Sequence, residues 1–272
     1  MNLLWSAAND AKSLVIMNPA PLPLRRFSLV IVPRHDALPR RANVVHTDGA
    51  IAARMGEDDW LQARERLASH PKFRPPRAAP PRDAGSVEHP HPVIAVFVGG
   101  DTDRYVLTPA FAGGLIAQVQ AACDAVDGWC LVTTSRRTPP DVEQSLAVRL
   151  GNDPRCRLLL IASRDPIDGT MDGMLGSADA AVVTGESISM VSEACASGRR
   201  VIAVEPPLRQ SEADGRVTKH QRFLRGLTAD GYLRLVSVPD LGFTIQRALA
   251  ERQPPKRLDT YAAIREAVSK LL

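Results

Sequence analysis

Three short stretches combine residue types suited to holding phosphate. The first is Val182-Val183-Thr184-Gly185-Glu186-Ser187-Ile188-Ser189-Met190-Val191-Ser192-Glu193-Ala194. An apolar run enters a Gly-Glu-Ser turn and continues as helical sequence. Ser187 or Ser189 is placed to cap that helix by accepting a bond from a free backbone N–H. The amino end of a helix carries unpaired N–H groups and a partial charge of about +0.5, which suits an anion. Glu193 lies one to two turns in, where its carboxylate can accept from paired ribose hydroxyls. The same residues also fit an ordinary cap followed by a solvated glutamate. The second stretch is Phe97-Val98-Gly99-Gly100-Asp101-Thr102-Asp103. Paired glycines at a strand end let backbone come close to a ligand. The stretch is neither G-x-G-x-x-G nor a G-x-x-x-x-G-K-[ST] loop, which argues against a dehydrogenase or a P-loop nucleotidase. Asp101 and Asp103 form a D-x-D that fits Mg²⁺ or, more simply, a polar turn. The third is Thr133-Thr134-Ser135-Arg136-Arg137-Thr138-Pro139, where an arginine pair offers bidentate bonds to a diphosphate.

These stretches need a scaffold that brings them together. From Val93 onward the sequence alternates apolar runs with helical segments. Strands are expected at Val93–Val98, Cys130–Thr134, Arg157–Ala162, Ala180–Thr184, Val201–Val204 and Leu233–Val236. Helices are expected at Pro109–Ala125, after Pro139-Pro140, and at Met171–Ser177, Ser189–Ser197, Lys219–Asp230, Asp240–Glu251 and Leu258–Leu272. Such alternation means a parallel sheet covered on both faces, with ligands bound beyond the carboxyl ends of its strands. The loops after Val98, Thr134, Ala162, Thr184 and Val204 should therefore line one site. Upstream, residues 1–70 hold the short strand-like runs Leu14–Met17, Phe27–Val32 and Asn43–His46, and residues 71–92 read as a linker rich in proline and arginine.

Composition narrows the function classes. The 272 residues carry a net charge of +4 and are 44% hydrophobic but only 4% aromatic. The basic excess sits in the proline-containing Arg25–Arg82 region. Few aromatics leave no stacking platform for single strands, so nucleic acid is not an expected partner. No apolar run approaches the ~18–20 residues of a membrane span, and Met1–Ala11 does not read as a secretory signal. Cys123, Cys130, Cys156 and Cys195 are widely spaced, form no C-x-x-C pair, and are expected as free thiols in a reducing cytoplasm.

The Val98-Gly99-Gly100-Asp101, Thr134-Ser135-Arg136-Arg137-Thr138 and Thr184–Ala194 stretches, with Val30-Ile31-Val32-Pro33-Arg34-His35-Asp36 upstream, resemble bacterial members of the mitochondrial-fission "elongated mitochondria" family. The resemblance runs over about residues 27–240. Its most specific parts are the Ser-Arg-Arg-Thr and Ser-Met-Val-Ser-Glu stretches. It implies a GT-B-like fold, distantly related to nucleotide-sugar transferases and 2-epimerases, in which Glu193 matches the ribose-binding glutamate. The first lobe of that fold should open with a strand, a glycine-rich loop and a helix. This chain reads as starting partway through it.

The expectation is thus an α/β protein in which a Rossmann-like parallel-sheet domain (93–240) follows an incomplete α/β lobe (1–70) and precedes C-terminal helices (241–272). The expected ligand is a nucleoside-diphosphate sugar. It would be held by Gly99, Gly100, Ser135, Arg136, Arg137, Ser187, Ser189 and Glu193, with no metal and no further cofactor. The expected reaction is glycosyl transfer or epimerase-like chemistry in the cytoplasm, peripheral contact with an inner membrane surface remaining open. His35 and Asp36 follow the Phe27–Val32 strand and would face the phosphate site across a cleft. With an ordinary pKa of about 6.5, His35 can take an acceptor hydroxyl's proton. The alternative is a non-catalytic binding protein that retains the fold.

Overall fold

A computed structural model describes residues 2–52, 55–74, 91–165, 168–209 and 217–271. Two parallel sheets organise the chain. The first has three strands, β1 (Leu14–Ile16), β2 (Leu29–Pro33) and β3 (Val44–Thr47), in the order β1-β2-β3. The second has six strands: β4 (Val93–Val98), β5 (Trp129–Thr134), β6 (Cys156–Leu160), β7 (Ala180–Thr184), β8 (Arg200–Val204) and β9 (Arg234–Val236). Their spatial order is β6-β5-β4-β7-β8-β9, parallel throughout. The order reverses between β4 and β7, which opens a crevice at their carboxyl ends.

Alternation along β4 explains the two cores. Ile94, Val96 and Val98 point to one face, where they meet α3 (Pro109–Ala125), α4 (Pro140–Leu150) and α8 (Leu241–Ala250). Ala95 and Phe97 point to the other, where they meet α5 (Thr170–Ser177), α6 (Ile188–Ala196) and α7 (Lys219–Ala229). Both faces are dry, which is why these strands read as unbroken apolar runs. The four cysteines are free and buried in these cores.

The boundaries between lobes differ from those the sequence suggests. Two helices went unanticipated: α1 (Asn2–Ala8) and α2 (Glu57–Ala68). Although it follows β3, α2 packs against α5 of the six-stranded domain. Gly173 and Gly176 permit this, because a Cβ at either would stand 2.8 or 2.9 Å from the α2 backbone. Conversely, the last helix, α9 (Tyr261–Leu271), crosses back onto β2 and β3. The start of the proline-rich segment is docked as well. Phe73 joins the second core, the Arg74 N–H donates to the Arg157 carbonyl at 2.8 Å, and Lys72 pairs with Asp165 at 2.6 Å. The remainder of that segment, residues 75–90, lies outside the described residues.

Polar contacts fasten the lobes to each other. The Ala50 N–H donates to Ser192 Oγ at 3.0 Å, and that hydroxyl donates to the Ile188 carbonyl at 2.8 Å. Arg257 bridges the Met55 and Ala196 carbonyls, and Arg222 donates to the His35 carbonyl at 3.3 Å. Ser192 is fully buried, so its loss leaves the Ala50 N–H without a partner. Ser192→Ala should cost about 1–3 kcal/mol of unfolding free energy, read from urea denaturation. A variant as stable as the parent would show that the contact fastens nothing.

Candidate functional site at the switch point

The loops after β4, β5 and β7 meet at the crevice and are tied together there. The Gly99 N–H donates to Thr184 Oγ1 at 2.8 Å, and the Gly100 N–H donates to Glu186 Oε1 at 2.9 Å. Thr138 Oγ1 donates to the Gly99 carbonyl, and the Asp101 N–H to the Arg137 carbonyl. A Cβ on Gly99 would lie 1.6 Å from Glu186 Oε1, and a Cβ on Gly100 would lie 2.2 Å from the Arg137 backbone. The missing side chains make room for the neighbouring loops.

Around this knot lie two cavities. One, of about 350 Å³, is lined by Thr102, Asp103, Arg104, Arg137, Glu186, Ser187, Ile188, Ser189, Lys219 and His220. The other, of about 400 Å³, is lined by Phe97, Thr133, Thr134, Ser135, Arg136, Ala162, Asp165, Asp168, Thr170, Met171 and Met190. Of the two consecutive arginines, Arg136 lines the second cavity and Arg137 the first. Ser187 occupies the N-cap position of α6, but its hydroxyl makes no capping bond and Ser189 makes none in its place. Both residues line the first cavity at the amino end of the helix.

Glu193 lies a turn beyond Met190 on the same face of α6, toward α5. Burial and the nearby Asp172 carboxylate push its carboxyl above the usual range. Among the described residues, none bonds to it. Asp101 is a turn residue: it accepts from the Leu107 N–H at 2.8 Å and pairs with Arg209 at 2.8 Å. Among the described residues, no cluster of three acidic, histidine or cysteine side chains is suited to a metal.

His35 and Asp36 fall in a 3-10 turn at the carboxyl end of β2, packed on α7. The His35 ring meets Phe223 edge-on with centroids 5.1 Å apart, and its Nδ1 is buried without a partner. Its Nε2 lies 3.9 Å from Asp36 Oδ1. Burial lowers its pKa, with the Lys219 and Arg222 cations acting the same way against Asp36.

Two residues of the cleft escaped the sequence reading. Glu186 is only 2% exposed. Thr184 Oγ1 and the Gly100 N–H both bond to its Oε1, while Oε2 has no partner. Burial pushes its carboxyl up. His220 lines the first cavity and stacks edge-on against Tyr105, whose hydroxyl donates to Glu205 at 2.6 Å. Burial, aided by Lys219, His35, Arg104 and Arg137, brings His220 down to about 4.

The family model described as "Mitochondrial fission ELM1" matches residues 3–271. The chain belongs to that family. A relative from Arabidopsis thaliana, "Mitochondrial fission protein ELM1", is 28% identical over 195 residues, covering 66% of this chain and 43% of its own length. This chain therefore spans less than half of that relative. Among solved structures, a putative UDP-N-acetylglucosamine 2-epimerase from Listeria monocytogenes superposes with a TM-score of 0.54 at 13% identity, covering 98% of this chain and 69% of the other. A second UDP-N-acetylglucosamine 2-epimerase gives 0.53 at 13% identity, covering 99% and 68%. These likenesses establish the GT-B type of fold anticipated for this family.

The lowered His220 pKa has a consequence for stability. An unfolded histidine titrates near 6.5, while His220 in the fold titrates at about 4. Between those values the unfolded chain holds the extra proton. The stabilisation is therefore complete above pH 6.5 and is lost as pH falls toward 4. His220→Gln should make the melting temperature fall less steeply over that window. An identical acid limb in both chains would mean that His220 is not held neutral.

Proposed function

We propose that this ELM1-family chain binds a nucleoside-diphosphate sugar at the β4–β7 crevice and acts on it as a glycosyltransferase. The observation that carries the reading is the convergence of Arg104, Arg137 and Lys219 with the uncapped amino end of α6 on one cleft. Cations and free N–H groups at a switch point favour a diphosphate. The adjoining cavity, with the Thr133–Ser135 segment on one side and Met171 and Met190 on the other, fits the nucleoside. Glu193, beyond Met190, is the carboxylate for the ribose hydroxyls.

The GT-B likeness to the two 2-epimerases supports a sugar nucleotide as the ligand class. In transfer, the cleft cations would stabilise the departing diphosphate while a base accepts the acceptor's proton. His35, its pKa lowered by burial in the turn after β2 that packs on α7, is the proposed base from the first lobe, with Asp36 beside it. No metal or organic cofactor is required for these roles. Among the described residues, no helix is long and apolar enough to cross a membrane.

Thermal shift across UDP-, GDP-, CMP- and dTDP-sugars tests the binding. At ~100 times Kd the ligand should add about 2.7 kcal/mol of stability. Glu193→Ala should weaken that binding with little change in the unliganded melting temperature. Arg137→Ala should cost more affinity for a nucleoside diphosphate than for the nucleoside, and an equal loss for both would contradict phosphate contact. Turnover separates an enzyme from a binding protein. His35→Ala or Asp36→Asn should abolish turnover while donor binding survives. Full activity in both variants would remove the chemistry from the first lobe.

A further inference from the structure

An acidic side chain stands in the middle of a cleft otherwise equipped for an anion. Glu186 belongs to the turn between β7 and α6, and its carboxyl is 2% exposed. Oε1 is fully engaged, accepting from Gly100 N–H at 2.9 Å and from the Thr184 hydroxyl at 3.1 Å. Oε2 is buried and has no partner, although the residue forms part of the cavity wall. A buried ionised oxygen without a donor is unfavourable. A protonated Oε2 instead needs an acceptor, and a phosphate oxygen in the cleft supplies one.

We propose that Glu186 receives the phosphate as the neutral acid, its Oε2–H donating to a phosphate oxygen, so that the cleft binds phosphate together with a proton. The inference rests on the diphosphate reading given above and names the protonation state that reading requires.

The surroundings are consistent from every side. Glu186's own backbone N–H, the bonds from Thr184 and Gly100, and the Arg137 cation of the β5–α4 turn all pull the carboxyl toward ionisation. The β4–α3 loop contributes Asp103 and Arg104 to the cleft, and Tyr105, whose hydroxyl is held by Glu205. Lys219 and His220 come from α7, and His220 is neutral near pH 7. Burial nevertheless dominates and raises the Glu186 carboxyl. With Glu186 neutral, a phosphate meets three cations and a single exposed carboxylate, Asp103. With Glu186 ionised it would also meet a buried negative charge.

The test uses the whole chain, with inorganic pyrophosphate as the probe. Calorimetric titrations in two buffers of different ionisation enthalpy, from about pH 5 to about pH 9, give affinity and proton uptake. A site that binds only the acid form loses affinity about tenfold per pH unit above the free carboxyl's pKa. Glu186→Gln keeps a donor at the Oε2 position and an acceptor at Oε1. It should therefore bind pyrophosphate with a flatter profile, and above the free carboxyl's pKa the wild type should take up close to one more proton than the variant. Pyrophosphate's own titration is common to both and cancels.

Equal proton uptake and parallel profiles would overturn the inference while leaving the phosphate site intact. Failure of wild type to bind pyrophosphate at any pH would overturn the phosphate site and the inference with it. Should Glu186→Gln fail to fold, carboxyl-carbon NMR of the labelled wild type decides. One glutamate should titrate above the others and move further up with pyrophosphate. If pyrophosphate shifts no glutamate titration, the inference fails.

Discussion

Parallel strands cannot be joined by a tight hairpin, and in this chain β4 and β7 pair as neighbours although two complete strand–helix units separate them. That single pairing governs the rest. With β5 and β6 built out on one side and β8 and β9 on the other, the loops leaving β4 and β7 part above the sheet. The gap must be closed by side chains. Glu186 and Thr184 close it from β7, by accepting the Gly99 and Gly100 N–H groups. Thr138 closes it from β5, by donating to the Gly99 carbonyl. Only glycine fits at positions 99 and 100 under these contacts. The first turn of α6 is thereby fixed relative to Arg137, and the cleft takes its shape from the knot below it.

The two sheets do not behave as beads on a string. A helix from each end of the chain is lent to the opposite lobe: α2 lies on α5, and α9 lies on β2 and β3. The Ala50–Ser192 bond adds a polar peg directly on α6, the helix whose amino end faces the cleft. Ser192 is one residue from Glu193 and lies four residues beyond Ile188, which lines the cleft. The first lobe is therefore bonded directly to the helix whose amino end lines the cleft. The turn bearing His35 reaches α7 by the same logic, since α7 supplies Lys219 and His220 to the cleft and Phe223 and Arg222 to His35.

Much of this fold was legible, because strands buried on both faces leave unbroken apolar runs. Pro109–Ala125 and Ala180–Thr184 match the expected limits, since a proline start and a Thr108 cap in one case and a Gly185 turn in the other punctuate the sequence. The helix α2 was not legible as an element of the second domain. Trp60, Ala63 and Leu67 do recur at helical spacing behind the acidic Glu57-Asp58-Asp59. However, the glycines that receive them, Gly173 and Gly176, stand more than a hundred residues away. At the site, residue types pointed to loops that the structure brings together at the crevice, but not to the contacts among them. A Gly-Gly pair looks alike whether ligand or side chain occupies the space, and two adjacent arginines look like a pair until the turn parts them. Glu186 was passed over because, in sequence, a glutamate beside a serine in a turn resembles any solvated polar residue. Its burial arises from β4, which the local sequence does not contain.

The electrostatic state of the cleft follows from the same burial. A site exposed to water would carry every charge its sequence lists, and those charges would be screened. Here desolvation acts on both signs. It lowers His220 and His35 toward neutrality and raises the carboxyl of Glu186. Burial thus disfavours the charged forms of the groups closest to the knot. The cleft sets the cations of Arg137 and Lys219 at its rim, over the buried Glu186. Such an arrangement attracts an anion from a distance and then recognises it at contact by donated hydrogen bonds, with neither task compromising the other. No side-chain cap covers the amino end of α6 at this cleft, so its first backbone N–H groups are not taken up by a hydroxyl of their own helix.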